Sequence, residues 1–336
     1  MPIAEARSGA AVVGARRSLM PALGTWGFIV TFSGQGLRNV VGWWAFGVIA
    51  AISGVMLFLV FVREGHRVQW RALPAMACAY TILCMVSVIW SHYPRETVLA
   101  GLLMLATTTT GVLLACGLSL RQFTDALSRA LEATLVLSFL LELYVALVLR
   151  EPLVPIYMKD WEEVPPSYIW VEGNIFQGGP IQGIVGNRNP LAFIALLTLI
   201  CVVVRWRDYR LRLPNFLIWS TLSIMTLILT GSATVIVAAV VCGIVMLFLW
   251  LLRHVPVALR TTVIVAASTL GVAVIVFAIG WHSQVTALLG RSPDMTGRWE
   301  IWLKVIDLWE QHTFLGWGWI MYWVPWIPMF GTLVIR

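Results

Sequence analysis

The polar stretch at residues 290–302 holds the side chains best suited to chemistry in an otherwise apolar chain. Arg291 and Arg298 flank a helix-start signal, in which either Ser292 or Thr296 is the capping residue. Free N–H groups at a helix start, together with a nearby guanidinium, favour binding of a phosphate or diphosphate. Anchoring of the same arginines to lipid phosphates is the simpler interpretation, and spacing alone slightly favours it.

The segment from Thr296 onward is predicted to form an amphipathic helix at the membrane surface. Apolar side chains recur at helical spacing among charged ones, namely Trp299, Trp302, Val305, Ile306 and Trp309. This helix places Arg298 in or beside its first turn.

A second arginine lies in Asn187-Arg188-Asn189-Pro190, directly before an apolar run. Asn189 is predicted to cap the following helix, with Pro190 at its first position. Arg188 and Arg298 are predicted to face the same compartment, where two arginines could clamp a diphosphate. Capping combined with interfacial anchoring is the alternative and is slightly favoured by spacing alone.

Glu142 lies well inside a predicted span, where carboxylates are often functional. A glutamate hydrogen-bonded within the bundle explains it equally well, so both interpretations stay open. The five histidines and five cysteines show no ligand-like spacing. We therefore predict no metal site and no cofactor.

The composition is that of a polytopic membrane protein. Of the 336 residues, 60% are hydrophobic and only 12% are charged. The basic residues fall in small clusters between apolar runs and not in one stripe, which argues against a nucleic-acid partner. The predicted fold class is all-α, a transmembrane helical bundle in the lipid bilayer.

Nine apolar windows are long enough, or nearly so, to cross a membrane. They lie near residues 19–37, 40–62, 72–90, 97–117, 130–149, 190–204, 214–230, 233–252 and 261–280. The chain therefore divides into an N-terminal tail (1–18), N-terminal spans (19–149), a loop rich in proline, glycine and aromatic residues (150–189), central spans (190–280) and a final segment (281–336). The loop composition predicts an ordered, irregular structure.

The arginine and lysine distribution predicts the orientation. With the N-terminus inside, 14 basic residues lie on the cytoplasmic side and eight on the outer side. Residues 150–189 and 281–336 are then extracytoplasmic.

Four segments together resemble the O-antigen ligase and polymerase superfamily of bacterial envelope enzymes, including the exopolysaccharide-polymerase-like members. Thr296-Gly297-Arg298 with Ile301-Trp302 and Leu315-Gly316-Trp317-Gly318 is similar to the family signature. Trp90-Ser91 through Pro94, Asn187 to Ala192, and Thr230-Gly231-Ser232-Ala233-Thr234 resemble three further elements, in the family's order.

The resemblance implies transfer of a glycan from an undecaprenyl-diphosphate carrier to an acceptor hydroxyl, without a metal, at the outer face of the bacterial inner membrane. Arg298, Arg188 and Arg291 would bind the diphosphate. Supporting positions would be Thr296, Gly297, Asn189 and Ser232. The sugar and acceptor are not specified, nor is the choice between ligase and polymerase.

Two departures from the family pattern affect this expectation. Ala233 stands where many members have a basic residue, and a downstream His-Asn motif, whose histidine would be the base, is not reached before Arg336. We interpret the chain as truncated at its C-terminus, with the catalytic histidine missing and His312 a poor substitute. The alternative functions are a transporter or lipid-linked-glycan translocase, and an inactive scaffold.

Overall fold

The computed structural model describes residues 18–159, 164, 168–280 and 298–320, and these are almost entirely helical. The helices in chain order are α1 (Met20–Phe32), α2 (Gly34–Arg63), α3 (Ala75–Val86), α4 (Pro94–Gly117), α5 (Leu120–Tyr144), α6 (Arg188–Arg207), α7 (Leu213–Thr230), α8 (Ala233–His254), α9 (Val257–Gly280) and α10 (Arg298–Gln311). The predicted all-α, polytopic class is confirmed.

Among the described residues, fewer helices qualify as complete spans than the nine that were predicted. Six described helices are long and apolar enough to cross a membrane, namely α2, α4, α5 with its π-helical extension to Leu149, α6, α7 and α8. Three shorter apolar helices occupy Met20–Phe32, Ala75–Ile89 and Val257–Ala273. Each of the nine predicted windows overlaps one of these helices, and six of the helices qualify as complete spans within the described residues, where α9 was assessed only to Ala273.

The first two predicted spans form a hairpin with its apex at Gly42. Gly42 has φ 82° and ψ 173°, which breaks α2 into residues 34–41 and 43–63. Beyond the kink the chain turns back on itself. This is shown by Gly34 and Phe46, which are so close that a Cβ on Gly34 would lie 3.2 Å from the Phe46 ring. Trp26 Nε1 also donates to Ser53 Oγ across the hairpin at 2.8 Å.

The fifth predicted span begins ten residues too late, because α5 starts at Leu120. Ser119 and Gln122 form a capping box that fixes this start. The first turns are polar and were missed by hydropathy. Further along α5, within the predicted window, Glu132 accepts from Arg205 Nη1 of α6 at 2.7 Å. Asp125 likewise accepts from Arg210 Nη1 at 2.8 Å.

Short connections make successive helices antiparallel and define two ends of the bundle. The turn end carries the α4–α5 and α6–α7 connections. The loop end carries the end of α5, the starts of α6 and α8, and the described residues between α5 and α6. The main core lies between α5, α6 and α7, where Leu131, Leu135 and Ile194 are fully or almost fully buried.

The described part of the loop is irregular, as its composition predicts. Two single turns of 3₁₀ helix interrupt it, at Ile156–Met158 and Asn174–Phe176. Leu153 and Val171 form an isolated antiparallel bridge, and Val171 is completely buried with Trp170 against the end of α5. The loop is therefore packed against the loop end of the bundle.

Candidate functional site

Arg188 is the first residue of α6, at the loop end of the bundle. Its side chain is exposed and makes no hydrogen bond or ion pair with another described residue. The guanidinium can thus face a ligand at this end. The helix start itself offers little to an anion, because Asn189 N is bonded to the Asn187 side chain and Pro190 has no N–H group.

Arg298 is the first described residue of α10. The helix is amphipathic, and Val305, Ile306 and Trp309 on its apolar side are about half exposed. Several predicted site residues lie outside the described part of the chain, namely Arg291, Ser292, Thr296, Gly297 and the side chain of Arg298.

The predicted cap of α6 is wrong by two residues. Asn187, not Asn189, caps the helix: its extended backbone has φ −155° and ψ 129°, and its side chain accepts from Asn189 N at 3.0 Å. Pro190 is consequently the third helical residue. Because the cap lies earlier in the chain, the Asn189 side chain is available for a tertiary contact.

Asn189 uses that side chain to contact Ser232. Ser232 Oγ donates to Asn189 Oδ1 at 2.8 Å, and Ser232 is 1% exposed. Gly231 makes this contact geometrically accessible, because its left-handed conformation (φ 55°, ψ 27°) ends α7 and turns the chain directly into α8. Two segments with family-like sequences, 43 residues apart, therefore meet at the loop end.

The loop before Arg188 is held by two side chains of α5. Glu142 Oε1 accepts from the backbone N–H groups of Gln182 and Gly183 at 2.7 and 2.8 Å. Ser138 Oγ accepts from Ile184 N at 3.2 Å. Glu142 was noted in the sequence without a role, and Ser138 was missed, although a serine four residues before a buried glutamate lies on the same helix face.

The Trp-Ser segment before α4 docks against the glycine- and tryptophan-rich run that follows α10. Trp90 Nε1 donates to Leu315 O at 2.8 Å, and Ser91 Oγ donates to Trp317 O at 3.2 Å. A Cβ on Gly318 would lie only 2.5 Å from Ser91 Oγ. A second pair of family-like segments is thus in direct contact, and glycine is required there by close approach.

Two histidines lie at the same junction. The ring centroids of His92 and His312 are 4.4 Å apart, and Trp317 lies 4.9 Å from His92 and 4.3 Å from His312. Neither histidine was predicted to have a functional role. Within the described residues, no group of three or more histidine, cysteine or acidic side chains could hold a metal ion.

Arg38 is a further cation at the loop end. Its Cζ lies 4.3 Å from the Trp43 ring centroid and 6.0 Å from that of Tyr157, within cation–π range. Tyr157 also donates from its hydroxyl to Asn39 Oδ1 at 3.2 Å. These contacts join the first segment of α2 to the loop.

Two open cavities of the bundle are lined by residues of its opposite, turn end. One is lined by Arg67, Thr108 and Cys116 among others, and the second by Arg121, Cys201 and Arg210 among others. The family-like segments lie at the loop end, so these cavities are not part of the candidate site.

Comparison with protein families gives one match. The family described as O-antigen ligase matches residues 216–333, which include Ser232, Arg298 and the run from Leu315 to Trp319. Arg188, Asn189 and Ser91 lie outside the matched region. Asn189 contacts Ser232 within it, Ser91 contacts Trp317 within it, and Arg188 precedes Asn189 in the chain. No curated protein and no solved structure matches the chain.

Proposed function

Because residues 216–333 match the O-antigen ligase family and support membership of the O-antigen ligase and polymerase superfamily, we propose that this membrane protein is a glycan ligase or polymerase. It moves a glycan from an undecaprenyl-diphosphate carrier to an acceptor hydroxyl during synthesis of cell-surface polysaccharide. The site lies at the loop end, which faces the outside of the bacterial inner membrane. The partners are the lipid-linked glycan, the acceptor and the bilayer.

The contact of Asn189 with Ser232 is the observation that carries this proposal. It joins the start of α6, where Arg188 is exposed, to the α7–α8 turn inside the matched region. Two side chains that the resemblance implies as supporting residues are thereby brought together from separate parts of the chain. A diphosphate site formed at this junction has the exposed Arg188 guanidinium on one side.

The chemistry required of this site is mainly electrostatic. The acceptor oxygen forms a bond to the anomeric carbon while the bond from that carbon to the diphosphate oxygen breaks, and the acceptor loses its proton to a base. Negative charge accumulates on the departing diphosphate. Arg188 and Arg298 stabilise that charge by charge-assisted hydrogen bonds, with Arg291 as a further candidate contact.

Alanine substitution of Arg188 or Arg298 tests this assignment. Each loss of a charge-assisted hydrogen bond is expected to lower kcat/KM for glycan transfer about tenfold to hundredfold. The measurement is transfer from a lipid-linked donor by the purified full-length protein in liposomes. Arg121→Ala, which removes an exposed arginine at the turn end, is the matched control and should retain wild-type activity. Unchanged transfer in both Arg188→Ala and Arg298→Ala would remove the proposed site.

A lipid-linked-glycan translocase is a second candidate, favoured by the broken helix at Gly42 and the loop that reaches Ser138 between the helices. Transporters use such interruptions, but they are usually built from inverted repeats, and no repeated half is evident in the sequence. Movement of labelled lipid-linked glycan across proteoliposomes without a transferred product would favour this candidate over the ligase.

A further inference from the structure

Glu142 and Ser138 lie one turn apart on α5, and both are completely buried. Their side chains accept hydrogen bonds from three consecutive backbone N–H groups, those of Gln182, Gly183 and Ile184. We call these five residues the loop clamp. It joins the interior of α5 to the loop that leads into α6.

The clamp determines the path of the loop because the three amides are not part of a helix or a sheet. A buried N–H group without an acceptor costs about 1–3 kcal/mol, so the loop keeps the path on which Glu142 and Ser138 satisfy them. Gly183 fits this path: it has φ 57°, and a Cβ there would lie 2.4 Å from Ser138 Cβ. A side chain at this position would collide with Ser138 and displace the loop from these contacts.

Arg188 follows Ile184 by only four residues. In between, Gly186 has φ 69° and packs closely on Gln35 and Trp170, and Asn187 then caps α6. The short connection transmits the position of the clamp to the helix start. The neighbouring contact of Asn189 with Ser232 fixes the same helix start from the other side.

We propose that Glu142 is a positioning residue for the diphosphate site, acting through the loop clamp to hold Arg188 at the loop end. This inference rests on the proposed function, which makes Arg188 a diphosphate contact. Glu142 itself does not touch the substrate. Its Oε1 makes both hydrogen bonds, while Oε2 has no hydrogen-bond partner within the described residues. A glutamine at this position can supply the same single acceptor oxygen.

The clamp is tested first without reference to activity. Amide hydrogen exchange of residues 182–184 is expected to be slow in the wild type and in Glu142→Gln, and at least about tenfold faster in Glu142→Ala, because the acceptor is lost. Glu132→Ala is the matched control, since Glu132 is also buried on α5 but is paired with Arg205 at the turn end. It should leave exchange at 182–184 unchanged. Equal exchange in Glu142→Ala and the wild type would disprove the clamp.

Binding of undecaprenyl diphosphate to the protein in nanodiscs is the second measurement. We expect Glu142→Ala to raise Kd about tenfold, with Glu142→Gln and Glu132→Ala close to wild type. If exchange rises in Glu142→Ala but Kd does not, or if Glu142→Gln binds as weakly as Glu142→Ala, the positioning role is refuted. If the wild type does not bind the carrier while the clamp amides are protected, the proposed function fails instead. Thermal unfolding of each variant establishes that it is folded.

Discussion

At the scale of single residues, Glu64 shows how one carboxylate at the turn end fixes the start of α1, the first described helix. It follows α2, and its two carboxylate oxygens accept from Ser18 Oγ at 2.6 Å and from Leu19 N at 2.7 Å. Burial acts to raise the pKa of Glu64, but these hydrogen bonds and the nearby His66 together hold the pKa below its ordinary value of 4.5. Glu64 therefore supplies, from a distant position, the cap that α1 does not have of its own.

The depressed pKa predicts a pH-dependent contribution to stability. A group whose pKa is lower in the folded state stabilises the fold above its unfolded-state pKa, and this contribution is lost as the pH falls through the folded-state value. The difference in unfolding free energy between the wild type and Glu64→Gln should be constant near neutral pH and shrink below about pH 4.5. Denaturant unfolding in detergent across this range measures it. A difference that stays constant into the acid range would contradict the assignment.

At the scale of elements, α10 is linked to the bundle through the turn that follows it. Ser87 and Ser91, on either side of Trp90, contact Trp319 and Trp317 respectively. Trp317 Nε1 also donates back to Leu308 O of α10 at 2.9 Å, which fixes the turn against its own helix. The helix that begins with Arg298 is thus connected to the short segment between α3 and α4.

The two glycines of this turn should differ in their tolerance of a side chain. Gly316 and Gly318 both have positive φ, of 63° and 94°, so alanine at either position costs roughly 1–2 kcal/mol. Only at Gly318 would the new Cβ also meet Ser91. Gly318→Ala is therefore expected to increase hydrogen exchange in residues 312–319 well beyond the effect of Gly316→Ala. Adding Ser91→Gly should restore part of the protection, and equal effects of the two alanine variants would rule out the close contact.

At the scale of the whole molecule, the bundle separates two kinds of polar surface. The turn end is held by buried ion pairs among Asp125, Glu132, Arg205 and Arg210. The loop end carries Arg38 and Arg188, for which no such partner is found among the described residues. Two turn-end arginines, Arg205 and Arg210, are thus neutralised within the protein, whereas the exposed Arg188 at the loop end is available to an anion.

The proposed orientation can be measured with single cysteines at the two ends. Glu151→Cys lies in the loop and Arg71→Cys lies near the start of α3, and both positions are exposed. In spheroplasts of a variant without its five native cysteines, a membrane-impermeant maleimide should label Glu151→Cys directly. Arg71→Cys should react only after permeabilisation, because the arginine distribution places it inside. The reverse labelling pattern would invert the proposed topology.

The sequence by itself determined the helical class and the approximate place of each apolar helix. Hydropathy is a property of each residue's transfer from water to lipid, so it can be read locally. The same local rule missed the first turns of α5, because Asp125 looks too polar for a span until Arg205 of α6 and Arg210 beyond its end are placed beside it. The helix expected around Trp302 and Trp309 was also a local signal, and α10 is observed there.

Only the tertiary structure decided which polar groups satisfy one another. Asn189 was expected to cap its own helix, but it accepts from Ser232, 43 residues away, and Asn187 is the cap. Glu142 contacts backbone amides about 40 residues downstream, and Ser91 contacts Trp317 at a separation of 226 residues. Backbone amides are the same in every residue except proline, so no side-chain pattern predicts which amides Glu142 will bind. Buried polar groups take whichever partner the packed helices bring within reach, and that choice is made by the assembled bundle.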